Sequence, residues 1–556
     1  MEPLYKHLFA LMCVVFLSIV SCTPEKDIIG EDEQNLAAIL PGVIVDEYSD
    51  EGDEIDRIPD FSRTGYHYSD DPIPDYDKVI VTLYPTGDKT DRSDEINAAI
   101  NKADGKTNSV VLLKAGDYYV SKQINIRQSH VCLRGEGGGK DDWKTRIIAC
   151  GNGEMENCIN IGNRVINPTI DQSSVTAIAE DYVPVGRLWL EIENVSGFNV
   201  RDRIVIFRPA TAKWIHDIRM DRISDGENWN PDDMDMFHER IITSIVGNRI
   251  YLDAPVVMAI DSAYGGGWIA KIHLDRVVES GVEDVFLEST FNGDPSDEDH
   301  CRNGIKFTAS EHCWARRISG RHFIFSLVGQ GSSSKNITIE DCHSFEPVSL
   351  ITGSRRYAFN AGQRSALGLV IRCSADNDRH SFTTTGKAPG PLAFVHCKAT
   401  NCHSETSPHC FWATGILYDC LIQDSRQLSV QDNDFYGTGA SHGWQASCVV
   451  MWNCEAPLLV CQSPWTAEGH HPTGKNYCIG CIGTKKLSTV KVNGQYLNDR
   501  PQGEWYPDPG AGASNTAHVT SGTYFGAKAM GLSLYEAQLA ARKAEGIRAI
   551  PANWYL

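Results

Sequence analysis

Three histidines stand in similar local settings in the second half of the chain: His380 in NDRHSF, His409 in SPHCFW and His442 in ASHGW. Asn377 and Arg379 lie just ahead of the first, and Arg355, Arg356 and Tyr357 precede it by about one repeat length. These residue types suit removal of a proton beside a carboxylate. β-Elimination on a uronic acid polymer needs the sugar carboxylate neutralised, a base for the C5 proton and an acid for the departing glycosidic oxygen. His380 or His409 is expected as base and Tyr357 as acid, with Arg356, Arg379 and Asn377 around the carboxylate and Arg355 and His442 on the same wall. Trp412 and Trp444 follow two of the histidines closely, and aromatic faces beside polar groups suit a sugar groove. Trp214, His216 and Asp217, from a separate segment, are expected to close that groove. Three such histidines could instead hold a metal.

Two other kinds of function compete. Hydrolysis needs two carboxylates across the scissile bond; Asp376 with Asp378 and Asp432 with Asp434 are candidate pairs, each at i, i+2 on one side of a strand. A non-catalytic surface protein that only binds glycans is the third reading. It would spread its aromatic residues, whereas an enzyme converges them on one cleft.

The elements that must position these residues read as a solenoid. Short strand-like runs such as 282–287, 335–339, 367–372 and 392–396 are separated by loops of Gly, Asn, Asp and Ser. Cys342, Cys373, Cys397, Cys420 and Cys454 recur in near-identical settings (IEDCHSF, VIRCSAD, FVHCKAT, LYDCLIQ, MWNCEAP) at about one repeat spacing. Cysteines at one phase of successive coils are expected to stack inside as small hydrophobes, not as disulfides. The pair Cys478 and Cys481 has metal-ligand spacing but no second pair near it, which argues against a zinc site there. Residues 93–103 pattern as an amphipathic helix with Ser93 as N-cap, and 532–545 as a second helix capped by Ser533. Both are expected to cap the solenoid ends. Residues 167–268 break the rhythm and read as a side insertion containing the hairpin ERIITSIVGNRIYLDAPV.

The block DRSDEINAAINKA, SVVLLKAGDYYV, VCLRGEGGG resembles the N-terminal cap and first coils of the pectate-lyase-like superfamily. The later SRRYAFN, CSADNDRHSF, GPLAFVHCKATNCHSETSPHCFWATGILYDC and SHGWQASCVVMWNC resemble a narrower group of secreted bacterial proteins within it, usually classed with polysaccharide lyases or left unassigned. The resemblance implies an all-β right-handed parallel β-helix over residues 76–525, with an N-terminal capping helix and a short helical segment at 526–556. It also implies a lyase acting on a glycosaminoglycan or a plant or algal acidic polymer, with Ca2+ as a possible cofactor. The chain departs from the group's pattern at Ser381, where a carboxylate usually stands, and at Cys410 and Phe411, where the group has His and Arg.

The formal net charge of −21 argues against a nucleic-acid partner. Much of that charge lies near the start: residues 25–94 hold 20 acidic and six basic side chains. Lys6 and His7 precede an apolar run too short to span a bilayer, followed by Ile19-Val20-Ser21-Cys22. Residues 1–22 therefore read as a lipoprotein signal with Cys22 as the lipidated residue. Residues 23–75 read as an acidic spacer. The expected protein is exported, held to a membrane only by its N-terminal lipid, and partnered by an acidic polysaccharide.

Overall fold

A computed structural model describes residues 56–555 apart from 224–225, 434–441, 465–471, 486–490, 493–494, 497–501, 507–523 and 526–532. Cys22, the signal segment, most of the spacer and Asp434 lie outside the described residues.

The chain winds as a parallel β-helix, the expected architecture. Three long sheets run along it, with thirteen, twelve and six strands among the described residues. One coil illustrates the rest: Lys335–Glu340 lies in the first sheet, His343–Phe345 in the second, Phe359–Ala361 in the third, and Gly368–Ile371 returns to the first. Successive first-sheet strands pair in parallel without slippage from Thr338 through Leu369, Ala393 and Leu417 to Val450. Inward side chains therefore stack on their own kind. Phe359 lies on Phe382 with ring centres 5.3 Å apart, and Phe394 on Tyr418 at the same distance. Such stacks add roughly 1 kcal/mol each to the burial of the rings themselves.

Between the first and second sheets five successive coils each turn through one left-handed residue: Asp341, Arg372, His396, Cys420 and Asn453 all have φ between 50° and 55°. This conformation costs an L-residue about 1–2 kcal/mol. Here each corner amide donates to a carbonyl one coil further on, at 2.8–3.2 Å, which repays part of that cost. The cysteine ladder follows one residue after the corner. Cys342, Cys373, Cys397 and Cys454 are buried in the main core, and burial pushes the Cys342 and Cys397 thiols up. Cys420 is not a rung. It occupies the corner itself, and Leu421 fills the ladder position above Cys397. The sequence places a cysteine and a leucine side by side there, and the smaller apolar residue was the wrong choice. No disulfide joins the sixteen described cysteines; Cys478 and Cys481 are buried in this core.

Helix α1 (Ser93–Ile100) closes the N-terminal end by burying Ile96, Ala99 and Ile100. Ser93 is its first residue and not its N-cap: its amide and hydroxyl both donate to Asp91. The insertion folds as a seven-stranded sheet with antiparallel pairing, including the expected hairpin of Met236–Val246 with Arg249–Leu252. Within it the short helix α2 spans Ala212–Asp217.

The second expected end cap lies elsewhere. Helix α3 (Leu534–Ala544), capped by Ser533 as expected, packs along the outer face of the first sheet through Leu534 and Tyr535. It lies there with Ile58 and Phe61 from the region read as spacer. Residues 57–68 are buried, so that segment belongs to the folded body. Arg542 at the end of α3 is fully buried, ion-paired to Asp70, and donates to the carbonyls of Ser62 and Tyr68 at 3.0 and 2.8 Å. The two ends of the described chain thus clasp each other across the solenoid wall.

Candidate functional site

The connection between the second and third sheets carries the chemistry-bearing residues. Parallel pairing of Phe359 with Phe382 brings Tyr357 and His380, each two residues earlier, onto neighbouring coils. Their rings meet edge to face with centres 4.9 Å apart. His409 arrives differently. Thr384 bridges to Pro408, so His409 enters just after that contact, whereas His380 lies four residues before it. The histidines are therefore not equivalent positions of one repeat, yet their rings converge. His409 lies 4.4 Å from His380 and 5.3 Å from Tyr357, and His442 lies 5.8 Å from His409. Arg379 donates to the Tyr357 hydroxyl at 3.1 Å.

The cluster has depth. His380 is completely enclosed; its Nδ1 donates to the Glu405 carbonyl at 2.8 Å and its Nε2 has no partner. His409 is half-buried with Nδ1 sealed inside, again without a partner. His442 and Arg379 are half-buried, and exposed Phe411 packs on the His442 ring at 4.8 Å. Burial, reinforced by His380, Arg379 and His442, pushes His409 down to about 2. Burial also lowers His380 and His442, and the rings of His409 and His442 are neutral near pH 7. Tyr357 is raised by burial, with Arg379 opposing. Burial acts to raise Glu405, but His380 and the Ser404 hydroxyl outweigh it and hold this carboxyl below its usual range. Glu405 was not singled out from sequence; its only signal was the Glu405-x-x-x-His409 spacing. One ligand atom from each of His380, Glu405 and His409 lies within 4.8 Å of the others, so these are the residues that could hold a metal ion.

Several expected roles change. Trp214, Trp412 and Trp444 are buried together with Met220, Met236 and Met258, so none offers a face to a sugar. They join the insertion to the coils: Trp444 donates to the Ile218 carbonyl at 3.0 Å and Trp229 to the His442 carbonyl at 3.3 Å. The insertion thus docks beside His442. His216 is exposed on α2 and pairs with Asp221 at 2.6 Å. Arg356 is buried and donates to the carbonyls of Ser349 and Asn377, which makes it a loop tie and not a carboxylate partner. Arg355 forms a two-pronged ion pair with Glu298, and Asn377 pairs with His403 at 2.7 Å.

Of the two aspartate pairs, Asp376, Asp378 and Asp432 are described, and Asp434 lies outside the described residues. Asp376 accepts from Thr400 and Asn401, each at 2.7 Å. Asp378 is buried, and desolvation pushes it up to about 8, leaving it uncharged near neutrality. Asp432 is buried as well.

No protein-family model matches the chain, and neither does any curated protein. Solved structures give distant likenesses. The tailspike protein gp49 of Pseudomonas phage LKA1 is 13% identical, with a TM-score of 0.42 over 72% of this chain and 60% of that one. The chain thus spans less than two thirds of that tailspike. The catalytic domain of a GH87 alpha-1,3-glucanase in complex with nigerose is 9% identical, with a TM-score of 0.31 over 78% and 64%. The Gp54 tailspike of Acinetobacter baumannii bacteriophage AP22, in complex with a capsular saccharide, is 10% identical, with a TM-score of 0.24 over 73% and 75%. Likenesses at these scores carry no argument about what this chain does.

Proposed function

We propose that this protein is a polysaccharide lyase that cleaves a uronic-acid-containing glycan by β-elimination. The observation that carries the proposal is the convergence of Tyr357, Arg379, His380, His409 and His442 on one wall, with ring centres 4.4–5.8 Å apart. That set holds a fixed cation, neutral imidazoles and a phenol, which are the parts β-elimination requires.

The depth of the cluster supports a division of roles. Arg379, half-exposed, holds the uronate carboxylate and lowers the barrier to forming the carbanion at C5. His442, whose ring is neutral and not sealed inside, takes the C5 proton. The electron pair forms the C4–C5 double bond as the C4–O bond breaks, and the buried Tyr357 hydroxyl gives its proton to the leaving oxygen through one intervening water. Enclosed His380 and the sealed edge of His409 fix the Tyr357 ring from below. The aspartates favour hydrolysis less, because Asp378 is uncharged and buried while Asp376 is held by two donors.

Export and tethering through Cys22 belong to the same proposal, since a polymer too large to enter a cell must be met outside it. A mass shift on the N-terminal peptide of membrane-extracted protein tests the lipid; an unmodified Cys22 removes the anchor. The activity is tested by incubating purified protein with a panel of acidic polysaccharides. A rise in ultraviolet absorbance from an unsaturated uronate is expected. New reducing ends without that rise would replace the lyase with a hydrolase, and no product from any acidic polymer would favour a binding role.

A further inference from the structure

The floor of the wall holds polar atoms that the lyase roles do not use. His380 has no exposed surface, and its Nδ1 is committed to the Glu405 carbonyl, which leaves Nε2 as a lone pair facing the interior without a donor. Nδ1 of His409 is likewise sealed and unpartnered. A buried polar atom left without a partner costs about 1–3 kcal/mol, so two beside each other demand a reason. Beside them stands Glu405, whose largely enclosed carboxylate lies 3.8 Å from His380 Nδ1. One ligand atom from each of the three lies within 4.8 Å of the others, and no other group of three or more such residues among the described residues meets that distance.

We propose that His380, Glu405 and His409 bind one divalent transition-metal ion of the zinc class. Two imidazole nitrogens and one carboxylate oxygen form a donor set that suits zinc and its neighbours, and not calcium, which takes oxygen ligands. Bonds of about 2.0–2.2 Å require ligand atoms roughly 3.4 Å apart in a tetrahedral site, so the three side chains close slightly on the ion. The Nδ1–H to carbonyl hydrogen bond of His380 is the outer support that fixes the tautomer of a metal-binding histidine. His442 is excluded from the set. It stands on the accessible side, beyond His409, with Phe411 against its ring.

The consequence for the reaction rests on the lyase proposal. Two neutral histidines and one carboxylate leave a bound divalent ion with a net positive charge, next to Tyr357 and Arg379. Held on buried atoms, the ion would not touch the polymer; its charge, lying beneath Tyr357 and Arg379, would help stabilise the negative charge that develops when the C5 proton leaves.

Metal binding is measured without turnover. The full chain, purified without chelator, is stripped, titrated with Zn2+ and assayed for bound zinc by elemental analysis; Co2+ replaces Zn2+ for a visible spectrum. The expected result is one equivalent in the wild type, a cobalt spectrum with nitrogen ligation, and at least roughly 10–100-fold weaker binding in Glu405→Gln and His409→Ala. His442→Ala keeps its equivalent. Glu405→Gln preserves shape, and an unchanged melting transition shows that it is folded. No uptake by the wild type, or equal uptake by all variants, overturns the site. Zinc held on the buried cysteines would give that second result. A protein that binds the equivalent but cleaves no acidic polymer would refute the lyase proposal and leave the metal site standing.

Discussion

At the scale of residues, enclosure decides which side chains do chemistry. Trp412 illustrates the point: sequence placed it beside a histidine and suggested a sugar platform, but it is fully buried among methionines and other tryptophans. Trp412→Ala is therefore expected to lower stability by about 3–5 kcal/mol through the cavity it leaves. Chemical denaturation checks this; an unchanged midpoint with weakened glycan binding would restore the platform. The same reasoning separates the histidines. His380 cannot touch a polymer from where it sits, so His380→Ala should reduce turnover at least roughly 100-fold by disturbing Tyr357 and the proposed metal, not by removing the base. Metal content measured alongside the rate distinguishes the two: a slow His380→Ala protein with a full zinc equivalent would contradict this.

At the scale of elements, the insertion is held to the coils by contacts that titrate. His238, on the strand Met236–Val246, is buried and pairs through Nδ1 with the Pro389 carbonyl at 3.0 Å in the loop before a first-sheet strand. Burial, with Arg240 adding to it, pushes this histidine down to about 3. Its ordinary value is 6.5, so below about pH 6.5 the unfolded chain gains a proton that the folded protein refuses. The stabilisation from His238 is complete above that pH and is lost as pH falls toward 3. The difference in unfolding free energy between wild type and His238→Gln should move in the variant's favour by about 1.4 kcal/mol per pH unit across that window. Urea titrations at several pH values measure it, and a pH-independent difference would show that His238 is protonated in the fold. The α3 clasp makes a second case. Arg542→Ala leaves Asp70 buried without its cation, and a loss of about 3–5 kcal/mol is expected. A melting temperature equal to the wild type would mean that the clasp is not coupled to the solenoid.

At the scale of the whole molecule, the solenoid was legible because its signal repeats. Five cysteine settings at coil spacing, short strands and Gly/Asn loops all report the same local geometry, and an error in one coil does not disturb the others. Cys420 shows the limit of that signal: a one-residue shift between corner and ladder is invisible when both neighbouring residues are apolar. The α1 cap was readable for the same local reasons. The destination of α3, the burial of residues 57–68 and the cluster of Trp214, Trp412 and Trp444 were not, because each depends on contacts between segments far apart in the chain. The site falls between these cases. Its histidines, Arg379 and Tyr357 announced themselves by type and spacing, whereas Glu405 emerged only when the coils brought it between two histidines. The expected carboxylate partner Arg356 turned out to bond backbone carbonyls.

The central claim is that this wall performs β-elimination. The most direct measurement is the rate of unsaturated uronate formation by wild type, Arg379→Ala and His442→Ala on the acidic polymer that the wild type cleaves, with melting curves taken in parallel. The account predicts that each variant folds normally and loses at least roughly 100-fold in turnover. Near-wild-type rates in both folded variants would contradict it and place the chemistry elsewhere on the solenoid.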